Sequence, residues 1–156
     1  MPQHSNLTAP PLGSTTIVQV GIVVHDIATT AAAWAEVLGL PVPEVIITAP
    51  VEQAQTECRG QSTPARAKLA FFHLGQVALE LIEPIGGPST WAEHLAAHGQ
   101  SIHHIAFVIQ GMAAQIANLG GRGIPLLQRG EYTGGRYAYL DGMERLGAVL
   151  ELLEND

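Results

Sequence analysis

A single cysteine, Cys58, leaves the chain unable to form an internal disulfide. Cations are also scarce, with seven lysines and arginines against fourteen acids and a net charge of −7. A surface of that sign argues against a nucleic-acid backbone as partner. No apolar run approaches the ~18 residues of a membrane-spanning helix, so no membrane partner is expected. The start has neither the basic nor the apolar region of a secretory signal, and a cytoplasmic location is expected. Residues 1–16, with Pro2, Pro10 and Pro11 among polar neighbours, read as a flexible N-terminal tail. A phosphate-binding glycine motif is missing too, and Gly134-Gly135 reads as a turn.

What remains is apolar and repetitive. Hydrophobic residues make up 47% of the chain, ample for one core shared by about 140 residues. Ile102-His103-His104-Ile105-Ala106-Phe107-Val108-Ile109 reads as a buried strand with two histidines near its start. With Gln19 laid over His104, the strand around Val18–Val24 matches it. Val77–Glu83 and Ala148–Glu154 share the pattern apolar-Leu-Glu-Leu-apolar-Glu. The chain is one unit written twice.

Each unit reads as β-α-β-β-β. In the first, a strand is followed by Asp26 as a helix N-cap. Ile27, Ala31, Trp34 and Leu38 follow at helical spacing, and Gly39 closes the helix. Val45–Ile47, Lys68–Leu74 and Val77–Glu83 are the remaining strands, the last two a hairpin about Gly75-Gln76. In the second unit the strand at Ile102 leads to a helix over Met112–Leu119. Strands over Ile124–Gln128, Arg136–Leu140 and Ala148–Leu153 complete it. The units span 17–83 and 102–154 within a single domain, 17–156. They are joined by a linker, 84–101, whose helix opens on a capping box at Thr90 and Glu93. The interval from Gln19 to Glu80 exceeds that from His104 to Glu151 by 14 residues. The polar, proline-broken stretch Thr48–Ala65 accounts for the excess as a long loop or hairpin excursion.

Glu80 and Glu151 each lie between two leucines and share a strand face with apolar residues. An unpaired carboxylate on such a face costs several kcal/mol. A lone case reads as a solvent-facing residue. Two at matching positions, with Gln19 and His104 also matched, read as a site. Two carboxylates, one imidazole and one amide oxygen suit a divalent metal ion: Co, Mn, Ni, Zn, Fe or Mg. The set has no thiolate, unlike a structural zinc site of the cysteine type. Strand alternation turns His103 to the opposite face, where packing on the outer face or at an interface is its expected role. His94 and His98, at i and i+4, read as the polar face of a short helix. Phe72, Phe107, Tyr137 and Tyr139, with the loops Thr48–Ala65 and Arg129–Arg136, are candidates for a pocket lining.

At these residues the sequence resembles the vicinal oxygen chelate superfamily of glyoxalases, bleomycin resistance proteins and dioxygenases. The passages Leu79–Pro84 and Gly99–Phe107 look most like methylmalonyl-CoA epimerases. The resemblance implies an α+β fold of two tandem βαβββ modules forming a cleft of curved mixed sheet. It implies one divalent metal held by Gln19, Glu80, His104 and Glu151. It further implies a homodimer and an epimerase or isomerase working through a metal-stabilised enolate. The substrate would be a small carbonyl compound such as a CoA thioester, with Glu151 as base and Glu80 as partner acid or base. Epimerases usually carry histidine where this chain has Gln19, and the Gln, Glu, His, Glu set resembles eukaryotic-type glyoxalase I. A lyase acting on a thiohemiacetal is therefore the first alternative, and a small-molecule-binding protein of the resistance type the second. An extradiol dioxygenase would show two histidines and one glutamate. Some epimerases carry a further carboxylate on the strand before Glu80, where this chain has Lys68 or Leu69.

Overall fold

A computed structural model describes residues 11–156. The expected tail falls partly outside those residues. The elements run β1 (Gln19–Val23), α1 (Ile27–Leu38), β2 (Ile46–Ile47), α2 (Val51–Ala54), β3 (Glu57–Cys58), β4 (Gln61–Ser62), β5 (Arg66–Leu74) and β6 (Val77–Ile85). They continue α3 (Thr90–His98), β7 (Ser101–Val108), α4 (Met112–Gly121), β8 (Leu126–Tyr132), β9 (Gly135–Leu140), α5 (Met143–Leu146) and β10 (Val149–Asn155). The strands form one curved mixed sheet in the order β2-β5-β6-β1-β7-β10-β9-β8-β3-β4. The repeat is visible in that order. Each unit's first strand runs parallel to its own last strand, β1 with β6 and β7 with β10. The two first strands meet antiparallel at the centre.

Alternation along the strands separates two faces. On the outer face Leu79, Leu81, Ala70 and Phe72 pack against Ile27, Ala31 and Ala35 of α1. Leu150, Leu152, Ala138 and Leu140 do the same against Met112 and Leu119 of α4. The inner face carries Val23, Ile82, Val149, Tyr139 and, from α3, Trp91. Burying each large aliphatic side chain contributes about 1.5–3 kcal/mol. Because the leucines of the Leu-Glu-Leu motifs face the helices, Glu80 and Glu151 are turned to the inner face.

The second glutamate of each motif has a separate role. Glu83 accepts a hydrogen bond from the backbone N–H of Ile27, at the start of α1, at 3.0 Å. Glu154 accepts from Gly111 and Met112 at the start of α4. Each thus satisfies orphan donors at the helix of its own unit. The Gly111 bond is the largest influence holding the Glu154 carboxyl below its usual pKa.

Element by element, the sequence reading differs from the structure in instructive places. Asp26 caps α1 through Thr29 N–H, and Gly39 closes the helix in a left-handed conformation. For α3, by contrast, the cap is Ser89, which accepts from Ala92 N–H. The capping box at Thr90 does not form, and Glu93 instead pairs with Arg59 at 3.0 Å. The stretch after Thr48 folds into α2 and a small hairpin, β3–β4, which crosses to pair with β8 of the other unit. Glu57 there stands opposite Arg129, and Cys58 opposite Gln128. β8 begins after Pro125 and runs to Tyr132, further than the expected Gln128, because its pairing with β9 continues to the turn at Gly134.

Candidate metal centre

The four central strands place the site. Glu80, Gly21 and His104 lie abreast on β6, β1 and β7, with Val149 of β10 completing the row. The adjacent row is Ala78, Gln19, Ala106 and Glu151. The local two-fold that relates the units exchanges Glu80 with Glu151, His104 with Gln19, and Gly21 with Ala106.

Around this axis the side chains converge. His104 Nε2 lies 3.0 Å from Gln19 Oε1, 2.8 Å from Glu151 Oε2 and 3.5 Å from Glu80 Oε1. One ligand atom each from Glu80, His104 and Glu151 falls within a mutual distance of 4.8 Å. All four residues are buried. Glu80 Oε1 and Glu151 Oε2 are buried and receive no aligned hydrogen bond, since the Nε2 direction is taken by Gln19. Buried carboxylate oxygens without donors are costly unless a cation meets them. Two such oxygens beside an imidazole nitrogen and an amide oxygen fit a divalent ion.

The electrostatics express the same crowding. Burial, then the charge of Glu151, pushes the Glu80 carboxyl up to about 8 against the opposing pull of His104. Burial pulls His104 down, but the Glu151 carboxylate 2.8 Å from its Nε2 and the charge of Glu80 together raise it above the ordinary histidine value.

Two residues take roles in the site that the sequence did not disclose. Gly21 is the first. A Cβ there would overlap the His104 ring, so glycine lets the imidazole lie flat across β1. An isolated glycine in an apolar strand is the signal for such an approach. His103 is the second, and it corrects an expectation. The pairing of β1 with β7 slips between Gly21 and Ile22, so that Gly21 faces His104 and Ile22 faces Ile102. His103 is the extra residue of a bulge and does not lie on an outer surface. It is buried, with its Nδ1 2.9 Å from His104 Nδ1 and its Nε2 3.2 Å from Thr90 Oγ1. Its ring also packs edge-on against Tyr139. Burial, with His104 and His94 beside it, holds its pKa well down and keeps it neutral.

A cavity of about 710 Å³ opens onto Gln19, Glu80 and Glu151. That size suits a small-molecule ligand. Tyr137 and Tyr139 line it as expected, and Gln53, Ala54 and Thr56 of the excursion form part of its wall. Phe71, which stands beside Glu80, lines it in place of Phe72. Phe72 and Phe107 belong to the outer clusters against α1 and α4. His94 is bonded to Ser101 Oγ at 3.0 Å, and His94 and His98 stay outside the cluster. No helix among the described residues is long and apolar enough to cross a membrane.

Similar proteins share this architecture. Among curated proteins, the uncharacterized protein YqjC of Bacillus subtilis is 30% identical over 138 residues, covering 86% of this chain and 89% of that one. Among solved structures, methylmalonyl-CoA epimerase of Mycobacterium tuberculosis superposes with a TM-score of 0.62 at 18% identity. It covers 96% of this chain and 93% of that one. Streptomyces coelicolor methylmalonyl-CoA epimerase, in complex with 2-nitronate-propionyl-CoA, gives 0.61 at 24% identity over 90% and 94% of the two chains. At these identities the two structures establish a common fold. Residues 18–139 match the family model of the Glyoxalase/Bleomycin resistance protein/Dioxygenase superfamily. Because that match takes in most of the chain and strands of both units, the protein belongs to this superfamily of vicinal oxygen chelate enzymes.

Proposed function

We propose that the protein is a metal-dependent epimerase that moves a proton on and off the carbon beside a carbonyl, in an acyl-CoA or related substrate. The observation that carries this reading is the pair of buried carboxylates, Glu80 and Glu151, related by the local two-fold and facing one cavity. Gln19, Glu80, His104 and Glu151 would hold the ion. Once bound, a divalent ion supplies Lewis-acid stabilisation of the negative charge that develops on a carbonyl oxygen.

The chain's own groups divide the remaining work. Glu151 takes the proton from the substrate carbon. Glu80, on the related strand and facing the same cavity, is the partner that takes a proton from solvent and returns it to the carbon when its carboxylate swings toward the substrate. Epimerisation requires acid–base groups on the two sides of a planar carbon, and two carboxylates from related strands that face one cavity suit that requirement. Phe71, Tyr137 and Tyr139 line the cavity with aromatic surface that would limit water around the reacting carbon. The structural likeness to two methylmalonyl-CoA epimerases supports a CoA thioester as the substrate class. Gln19 favours a second reading, isomerisation of a thiohemiacetal of the glyoxalase I kind, in which the proton returns to the neighbouring carbon. Family resemblance and the free, buried Cys58 agree with a homodimer in a reducing cytoplasm.

Solvent-deuterium exchange into the α-carbon of acyl-CoA candidates tests the proposal. Wild-type protein loaded with metal should exchange, and Glu151→Gln should nearly abolish exchange. Wild-type-like exchange in Glu151→Gln would remove that residue from the base role.

A further inference from the structure

We infer that His103 is a positioning residue: it fixes the tautomer of His104 so that a bare Nε2 faces the ligand cluster. The inference rests on the metal-site reading above and extends it to a residue outside the ligand set.

Two ring nitrogens 2.9 Å apart must share one proton, since two lone pairs or two N–H groups would repel. The direction of that bond decides what Nε2 of His104 can be. If His103 Nδ1–H donates, His104 Nδ1 is the acceptor, and a neutral His104 must carry its proton on Nε2. That nitrogen then points a proton, not a lone pair, at Gln19, Glu80 and Glu151. If His104 Nδ1–H donates to His103 Nδ1, Nε2 is free to bind a cation.

A cation on His104 Nε2 requires the second arrangement, and the surroundings of His103 accommodate it, because the Thr90 hydroxyl can accept a hydrogen bond as well as donate one. His103 then carries its own proton on Nε2 and donates it to Thr90 Oγ1 at 3.2 Å. Thr90 is itself fixed. It opens α3, and its backbone N–H donates to Gln128 Oε1 at 2.8 Å. Gln128 Nε2–H in turn donates to Tyr137 OH at 3.0 Å. The orientation of His104 is thereby tied to helix α3 and to β8 of the second unit. The bulge makes the contact, because regular alternation would send the His103 ring to the opposite face. A ligand histidine commonly donates its second N–H to an outer partner, and loss of that partner weakens metal binding about 10–100-fold.

The test is zinc affinity, measured by competition with a chromophoric chelator, for wild type, His103→Leu and His103→Asn. Asparagine places Oδ1 where Nδ1 was and keeps the acceptor, whereas leucine fills the space without one. Thermal melting checks that each variant is folded. His103→Leu should bind zinc about 10–100-fold more weakly, and His103→Asn should stay close to wild type. Long-range proton–nitrogen correlation spectra of the zinc-loaded wild type should place a proton on His104 Nδ1. That spectrum decides the matter if the leucine variant fails to fold. Wild-type affinity in His103→Leu, equal losses in both variants, or a bare His104 Nδ1 would each overturn the inference while leaving the metal site standing. A wild type that takes up no zinc or other divalent ion would overturn the metal reading, and this inference with it.

Discussion

Gly21→Ala is the smallest change that should disable the site. The new methyl group would fall on the His104 ring. Neither side has room to yield. Gly21 is held in β1 between β6 and β7, and the His104 ring is hemmed by His103, Gln19 and Tyr139. Overpacking of a close-packed interior costs about 1–3 kcal/mol. In a domain of this size each kcal/mol lowers Tm by about 2–4 °C, so a fall of about 2–12 °C is expected. The displaced imidazole should also lose its place among Gln19, Glu80 and Glu151, and metal affinity should drop at least tenfold, about 1.4 kcal/mol. Ala106→Gly, at the position related to Gly21 by the local two-fold, should leave metal affinity nearly intact, because no ring lies across it. Calorimetry and a zinc titration on the two variants read both quantities. Gly21→Ala with unchanged Tm and unchanged affinity would refute the packing argument.

Metal affinity should rise as pH rises toward about 8, because a bound ion competes with protons for Glu80 and His104; titrations at several pH values read it. Both groups have folded pKa values raised above their unfolded ones. Their stabilising contribution in the metal-free protein is therefore full below about pH 4.5 for Glu80, and it is lost as pH rises through about 8. The metal-free Tm should fall over that interval, and Glu80→Gln should lessen the fall while weakening metal binding; a steeper fall in the variant would contradict the assignment. Glu83→Ala, which removes the acceptor for Ile27 N–H, should cost about 0.5–2 kcal/mol in urea unfolding without changing metal affinity. Arg59→Ala, which breaks the exposed pair with Glu93, should cost no more than about 1 kcal/mol.

The sequence disclosed what depends on periodicity and repetition. Leu79-Glu80-Leu81 and Leu150-Glu151-Leu152 revealed both the duplication and the inward carboxylates, because two-residue alternation leaves the glutamates opposite the helix-facing leucines. Asp26 and Gly39 bounded α1 for local reasons that a sequence displays. Non-local geometry stayed hidden. The slip that turns His103 inward arises from pairing between strands about 80 positions apart, and alternation alone misassigned it. The facing of β5 was also undetermined by the sequence, and the register with β6 sets Phe71 rather than Phe72 beside Glu80. The hairpin β3–β4 joins the far unit's β8, and nothing within Thr48–Ala65 encodes that destination. Ser89 captured the α3 cap from Thr90 because Thr90 is engaged by Gln128 and His103.

Glu80, His104 and Glu151 are proposed to hold one divalent ion. Elemental analysis of untagged protein, beside a Glu80→Ala/Glu151→Ala double variant, tests it most directly. About one equivalent of a divalent metal in the wild type, lost from the folded double variant, is the predicted result. A wild type that holds no metal and takes none up on reconstitution would contradict it, leaving a binding protein built on the same fold.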